Sequence, residues 1–256
     1  MKKIIATLEA HMDSNRFPGK VMKTILGKPV LEIIVDRARD SHLLEDVVVI
    51  TTTSPKDDVI VDLCVNKNIS FYRGNVKTNV KDVLDQVLNG AKKYNGEVIV
   101  ELISDNPLID SGVIDKVVQY YFNNDYDYVS NFIPKITYPT GISVQVFQTK
   151  LLEEVDRLTN DPRSSEYIKN RENVTWYIYH HLEKYRIGTV EADEILRDPK
   201  IRLDLDQPED LTLIKKIYEH FNDLKVSLQN VLKYLKENPE LITINQKYLT
   251  GDEKYV

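Results

Sequence analysis

The chain is short of the residues that many functions demand. Among 256 residues there is one cysteine, Cys64, inside the apolar run Val61–Val65. A lone thiol makes no internal disulfide, and a buried structural role outweighs a catalytic one there. Five histidines with that single cysteine give no zinc spacing. His180 and His181 are adjacent, so on a helix they diverge by roughly 100° and cannot share a metal. No Walker loop and no G-x-G-x-x-G occurs. Apolar runs are short: the basic and then apolar start Met1–Ala6 ends at Glu9, too brief for a signal peptide or a membrane span. A cytoplasmic location is the expectation. The formal net charge of −6 removes any general attraction to nucleic acid or anionic membrane. The 15 tyrosines are not interleaved with a basic patch, so packing explains them better than base stacking. Asn173-Val174-Thr175 spells a glycosylation sequon that a cytoplasmic chain would not use.

What is present is ordinary globular composition, with 42% hydrophobic and 29% charged residues, and a regular alternation of elements. Strands are expected at Lys3–Leu8, Asp46–Thr52, Ile69–Tyr72, Glu97–Ile103, Asp127–Asn131, Ile142–Phe147, Tyr185–Val190 and Ile201–Leu205. Val47-Val48-Val49-Ile50 lacks polar alternation, as a strand covered on both faces does. Helices are expected at Pro29–Ser41, Pro55–Asn68, Val80–Tyr94, Ser111–Phe122, Lys150–Arg157, Glu172–Lys184, Pro208–Asn222 and Leu228–Glu237. Ser54-Pro55-Lys56-Asp57-Asp58 supplies a cap, a first-turn proline and acids at the positive end of the helix dipole. The alternation implies an α/β fold with a mostly parallel sheet flanked by helices, in a single domain spanning 1–256. Val226–Val256 forms a C-terminal helical extension that docks in cis or on a partner, so a homodimer stays open. Ligands of such sheets sit beyond the carboxyl ends of the strands.

Three segments at strand ends could carry chemistry. Glu9–Lys20 is a small polar loop with two cations: Arg16 suits bidentate contact with phosphate oxygens, and Lys20 is a mobile point charge. A solvated loop with two surface cations is an equal competitor. In Glu101–Asp110, Asp105 is placed to hold Mg²⁺ with phosphate oxygens, although a turn-forming aspartate before Asn106-Pro107 has the same spelling. In Arg202–Asp210, Asp206 ends a strand before a proline-started helix. With Glu209 three residues on, it also reads as a helix cap. Two carboxylates from separate strand ends, completed by phosphate, are a common Mg²⁺ arrangement.

Together these segments resemble the cytidylyltransferases that activate acidic sugars such as KDO and sialic acid, and most closely the SpsF-like branch concerned with spore-coat polysaccharide. The family's Arg-Met-Gly-Ser-Thr-Arg-Leu-Pro-Gly-Lys loop is similar to His11–Lys20, and Gly27–Leu31 follows it. Its Gly-Asp-Cys-Pro-Leu-Ile-Asp resembles Ser104–Asp110, and its Asp-Thr-Pro-Glu-Asp resembles Asp206–Asp210. Phe71–Gly74, Asp82–Asp85 and Asn238–Leu241 are further matches, so the likeness spans nearly the whole chain in order.

The resemblance implies a nucleotide-diphospho-sugar transferase fold, GT-A-like and Rossmann-like. It implies an Mg²⁺-dependent reaction in which a sugar hydroxyl attacks the α-phosphorus of CTP and pyrophosphate leaves. Leu8, Ala10, Ser14, Arg16, Lys20 and Arg73 would bind the nucleotide, with Arg16 and Lys20 acting on the triphosphate. Asp105 and Asp206 would hold Mg²⁺, and Tyr138 and Gln145 would face the small-molecule acceptor.

The departures are His11 and Gln86 where the family has arginine, Asp13 where it has glycine, and Glu101 in place of the arginine of Val-Arg-Ile. Thr140, Ser143 and Gln145 replace the three acids of the family's Tyr-Pro-Asp-Gly-Leu-Asp-Val-Glu-Val. An acid at Asp13 beside a triphosphate needs an offsetting cation. These changes imply an acceptor different from the branch's usual one. Two other readings remain: a glycosyltransferase of related fold using Asp204-Leu205-Asp206, and a non-catalytic nucleotide-binding homologue that regulates a biosynthetic cluster.

Overall fold

The computed structural model describes residues 2–75 and 82–249. Its main sheet has seven strands: β1 (Ile4–Glu9), β2 (Asp46–Thr52), β3 (Ser70–Gly74), β4 (Val98–Ile103), β5 (Tyr128–Ser130), β6 (Val144–Gln148) and β7 (Ile187–Thr189). Their spatial order is β3-β2-β1-β4-β6-β5-β7. The first four are mutually parallel, β6 runs antiparallel to both β4 and β5, and β7 is parallel to β5. The fold is therefore α/β with a mixed, mostly parallel sheet. A two-stranded antiparallel hairpin, Thr24–Ile25 with Lys28–Pro29, lies outside it.

The helices are α1 (Val30–Ala38), α2 (Asp58–Asn66), α3 (Val83–Lys93), α4 (Ser111–Asn123), α5 (Thr149–Thr159), α6 (Tyr167–Glu172), α7 (Trp176–Tyr179), α8 (Pro208–Phe221), α9 (Leu228–Glu237) and α10 (Pro239–Ile242). They cover both faces of the sheet because strand side chains alternate. Ala6, Leu8, Val47 and Val49 point into a large core with α1, α4, α8 and α9. Ile5, Val48, Ile50 and Ile99 face a smaller one built with α3 and α5. Cys64 is fully buried on α2, and burial pushes its thiol up to about 11, so it stays protonated as a packing residue.

Two expectations are corrected. Ile201–Leu205 is not a strand; its ladder pairing among the described residues amounts to one isolated bridge, Arg202 with Thr140. This segment is fixed by side chains, as the site below makes clear. Of the expected helix Glu172–Lys184 only Glu172, the last residue of α6, and Trp176–Tyr179, α7, are helical, with Asn173 extended at φ −124°, ψ 102°. The β-branched pair Val174-Thr175 at the break is buried, so tertiary packing outweighs helical continuation. The first residues of the helix expected at Val80–Tyr94 and the final residues 250–256 lie outside the described residues. Within them, α9 and Asn245 dock in cis: Leu228, Val231, Leu232 and Leu235 are all buried in the large core.

Candidate active site

The loop after β1 folds back on itself. The Met12 carbonyl accepts from the backbone N–H of both Ser14 (3.1 Å) and Gly19 (3.0 Å), and Gly19 takes a left-handed φ of 68° that a side chain would resist. The Ser14 hydroxyl accepts from Phe17 N at 3.3 Å. This turn brings Arg16 and Lys20 back over the carboxyl ends of the strands.

There the three sequence segments converge. Lys20 Nζ donates to Asp105 Oδ2 at 3.1 Å and to Asp206 Oδ1 at 2.6 Å, and Arg16 Nη2 donates to Asp206 Oδ2 at 2.6 Å. The two aspartate loops are also tied directly, with Leu205 N donating to the Asp105 carbonyl at 2.7 Å. The Asn106 amide, oriented by its surroundings, donates to Asp105 Oδ1 at 2.9 Å and accepts from Ser143 N at 3.1 Å. A cavity of about 270 Å³ opens beside this cluster, lined by His11, Asp13, Ser14, Arg16, Lys20 and Ser104 among others.

Electrostatics separates the two aspartates. Burial raises the carboxyl of Asp105 to about 6 despite Lys20, and the nearby Asp206 and Asp204 add to the rise. Burial also works against ionised Asp206, but Lys20 and Arg16 outweigh it and hold that carboxyl below its ordinary value. Lys20, though largely buried, is raised because the two aspartates overcome its desolvation.

Asp206 is not the cap of α8. The cap is Gln207, in a capping box with Asp210, so Glu209 is not its partner. Asp210 Oδ2 accepts from Asp206 N (2.8 Å) and Gln207 N (2.7 Å). Arg202 grips Asp210 with two bonds of 2.9 Å and pairs with Asp204 at 2.9 Å. Asp204 in turn accepts from the Thr140 hydroxyl at 2.8 Å. Gly141, at φ +87°, lies so close to this loop that an added Cβ would stand 2.4 Å from Asp204 N. Side-chain anchoring replaces strand pairing over residues 201–206 and leaves the Asp206 carboxylate facing the cations.

The remaining expected residues are distributed unevenly. Leu8 is wholly inside the core, and Ala10 lines a second cavity of about 140 Å³ with Glu9, Ile50, Thr52, Asp57, Val83 and Gln86. Arg73 braces the wall of that cavity through the carbonyls of Thr52 (2.8 Å) and Ser54 (3.1 Å) and an ion pair with Asp58. Tyr138 is buried, its hydroxyl pushed up by burial against the pull of Lys116. Gln145 is buried beside Glu101 in the sheet, and its Oε1 accepts from both Tyr128 Oη and Thr175 Oγ1 at 2.6 Å. His180 and His181 stack on Trp176 and Tyr177, and no cluster of three metal-ligating side chains occurs among the described residues.

One pair escaped sequence reasoning: Glu9 and Glu101 on neighbouring strands. Their carboxyls hydrogen-bond to each other, with Glu9 raised to about 7, burial being the main cause, and Glu101 raised well above its usual range. The two carboxyls titrate as one pair. Asp13, the other unexpected acid, is offset by Lys56 at 2.9 Å.

Two carboxylates gathered beyond the ends of parallel strands, with cations folded over them, define a site suited to phosphate-bearing substrates. The chain belongs to the cytidylyltransferase family, whose model matches residues 5–248; these are nucleotidyltransferase enzymes. It is 30% identical over 250 residues to the spore coat polysaccharide biosynthesis protein SpsF of Bacillus subtilis, covering 95% of this chain and 98% of the relative. A solved cytidylyltransferase from Leptospira borgpetersenii superposes with a TM-score of 0.85 at 28% identity, covering 94% of this chain and 97% of that one. CMP:2-keto-3-deoxy-manno-octonic acid synthetase, solved with CTP, shares the fold at a TM-score of 0.64 and 15% identity, over 86% and 99% of the two chains. No described helix is long and apolar enough to cross a membrane.

Proposed function

We propose that this protein is an Mg²⁺-dependent cytidylyltransferase that joins CMP from CTP to a hydroxyl of a small sugar-like acceptor, releasing pyrophosphate, for a surface polysaccharide or glycoconjugate. One observation carries this reading: Asp105 and Asp206, 101 positions apart in sequence, meet around Lys20 with Arg16 alongside. An ammonium already bridges the two carboxylates, so their oxygens suit a cation, and Mg²⁺ held by them would offset the charge of the triphosphate and polarise its phosphorus.

Arg16, half-exposed at 55%, can swing from Asp206 onto phosphate oxygens, and Lys20 can follow. Both cations then stabilise charge on the departing pyrophosphate. Catalysis of this kind needs positioning and neutralisation more than a covalent nucleophile. Leu8, Ala10, Ser14 and Arg73 serve the nucleotide side through backbone and wall, while Tyr138 and Gln145 serve the acceptor side. Asp204 is committed to Arg202 and Thr140, which argues against the Asp-x-Asp glycosyltransferase reading.

The test is pyrophosphate release from CTP against a panel of sugar acceptors, with Asp105→Asn as control. Expected are CTP- and Mg²⁺-dependent release and its loss in the variant; free nucleoside diphosphate as product, or no nucleotide binding at all, would refute the reading.

A further inference from the structure

We infer that Arg37 and Tyr218 are positioning residues for Asp105: they grip the backbone of its loop from the core side and so fix where its carboxylate meets a cation. This rests on the reading of Asp105 as a metal ligand.

The loop that carries Asp105 is irregular and yet buried. Residues 104–110 form neither strand nor helix, while Leu108 and Ile109 are fully enclosed and Asn106 nearly so. Backbone of this kind has no ladder for its carbonyls, so each needs a donor from elsewhere. Each carbonyl from Asp105 to Ile109 has one. Leu205 N reaches that of Asp105 at 2.7 Å, and Ile109 N reaches that of Asn106 at 3.0 Å. The next three are served by two side chains from distant elements. Tyr218 Oη, on α8, donates to the Pro107 carbonyl at 2.6 Å. Arg37, on α1, donates through Nε to the Ile109 carbonyl at 2.6 Å and through Nη2, at 3.5 Å, to that of Leu108.

The identity of these two residues matters. Arg37 is buried, and its Nη1 donates to a further carbonyl, that of Leu224, at 2.9 Å. No carboxylate is among its partners in the described residues. A buried guanidinium without a paired acid is a costly way to fill a core, and an apolar side chain would fill it without that cost. What the guanidinium alone offers is a planar fork that serves several carbonyls at once. Tyr218 is fully enclosed, and burial pushes its hydroxyl up to about 12, so it keeps the proton it donates.

Asp105 stands two residues beyond the end of β4 and two before the first of the gripped carbonyls. Its backbone is therefore held on both sides, by the sheet upstream and by α1 and α8 downstream. A carboxylate so placed loses little freedom on taking a cation; releasing its loop restores that freedom and weakens the hold.

The test is titration of the full-length protein with Mn²⁺ alone, followed by paramagnetic resonance, beside the Mg²⁺ dependence of pyrophosphate release. Tyr218→Phe, which deletes one oxygen and keeps the ring, should weaken the Mn²⁺ dissociation constant by about tenfold and raise the half-saturating Mg²⁺ in proportion. At saturating Mg²⁺ its KM for CTP should stay within about twofold of the wild type. Arg37→Lys retains one donor, so its Mn²⁺ affinity should fall between those of the wild type and Arg37→Met. A merely structural role would lower the urea midpoint of these variants and leave the metal affinity of the folded protein alone. Folded Tyr218→Phe and Arg37→Lys with Mn²⁺ affinity and Mg²⁺ dependence within about twofold of the wild type would overturn the inference, and Tyr218→Phe decides by itself if the Arg37 variants do not fold. A wild type that neither binds Mn²⁺ nor needs Mg²⁺ would instead refute the metal reading, and this inference with it.

Discussion

The ammonium of Lys20 stands between the carboxylates of Asp105 and Asp206, 3.1 Å from one and 2.6 Å from the other. On the proposed reading a divalent cation would use those same oxygens, so Lys20 and the metal would compete until a triphosphate drew the lysine away. Lys20→Met should therefore let the aspartates take Mn²⁺ without nucleotide, tightening its dissociation constant by about tenfold or more in a paramagnetic resonance titration. Pyrophosphate release should nonetheless fall by roughly 10²–10³-fold.

Asp105→Asn should separate stability from activity. The carboxyl of Asp105 is raised in the folded chain from 3.8 to about 6. The native state then holds its proton more tightly than the unfolded state, so this group's contribution worsens as pH rises from about 4 to about 6 and is flat above. An amide has no such term. The variant should be more stable at pH 7 by about 1–3 kcal/mol in urea unfolding, while losing activity.

The Glu9–Glu101 pair gives a second pH dependence, shifted upward. With Glu9 raised from 4.5 to about 7 and Glu101 raised further, stability should decline as pH climbs from about 5 through 7 and beyond. Glu101→Gln keeps a donor for Glu9 but removes one titration. Its urea midpoint should change less between pH 5.5 and pH 8 than that of the wild type; an equal or steeper change would exclude the pair as the source.

Arg171 is 1% exposed and bridges Asp82 and Asp156, both at 2.7 Å. Asp82 caps α3, the helix that carries Gln86. Removing the guanidinium takes from buried Asp82 the cation it shares with Asp156, so Arg171→Met should cost about 3–5 kcal/mol of unfolding free energy. Asp82→Asn in that background should recover part of it, because the carboxylate that lost Arg171 is then neutral.

Much of this architecture is legible in the chain itself. The range Leu228–Glu237 matches its amphipathic period residue for residue, and β2 has the bounds its unbroken apolar run suggests. Residues 201–205 misled because their alternation of apolar and polar side chains imitates a strand. Here the polar members are Arg202 and Asp204, and Arg202 pairs with both Asp204 and Asp210. The antiparallel sense of β6 leaves no local trace, since both strand directions use the same β-branched residues. Glu9 and Glu101 carried a signal that went unread together: each is an acid in an apolar strand. Only the register, which sets Glu101 beside Thr7 and Glu9 beside Ile103, makes them neighbours.

The network around Arg202 reaches far along the chain. Asn245 donates to the Arg202 carbonyl at 3.1 Å and to Asp210 at 2.8 Å, while the Tyr248 carbonyl accepts from Arg202 at 3.3 Å. The loop that presents Asp206 is thus locked by residues made some forty positions later. During synthesis, the ribosome must release Asn245 before that lock can close. A nascent chain that has not yet exposed Asn245 and Tyr248 lacks these bonds to Arg202 and Asp210, so the loop that presents Asp206 is completed late.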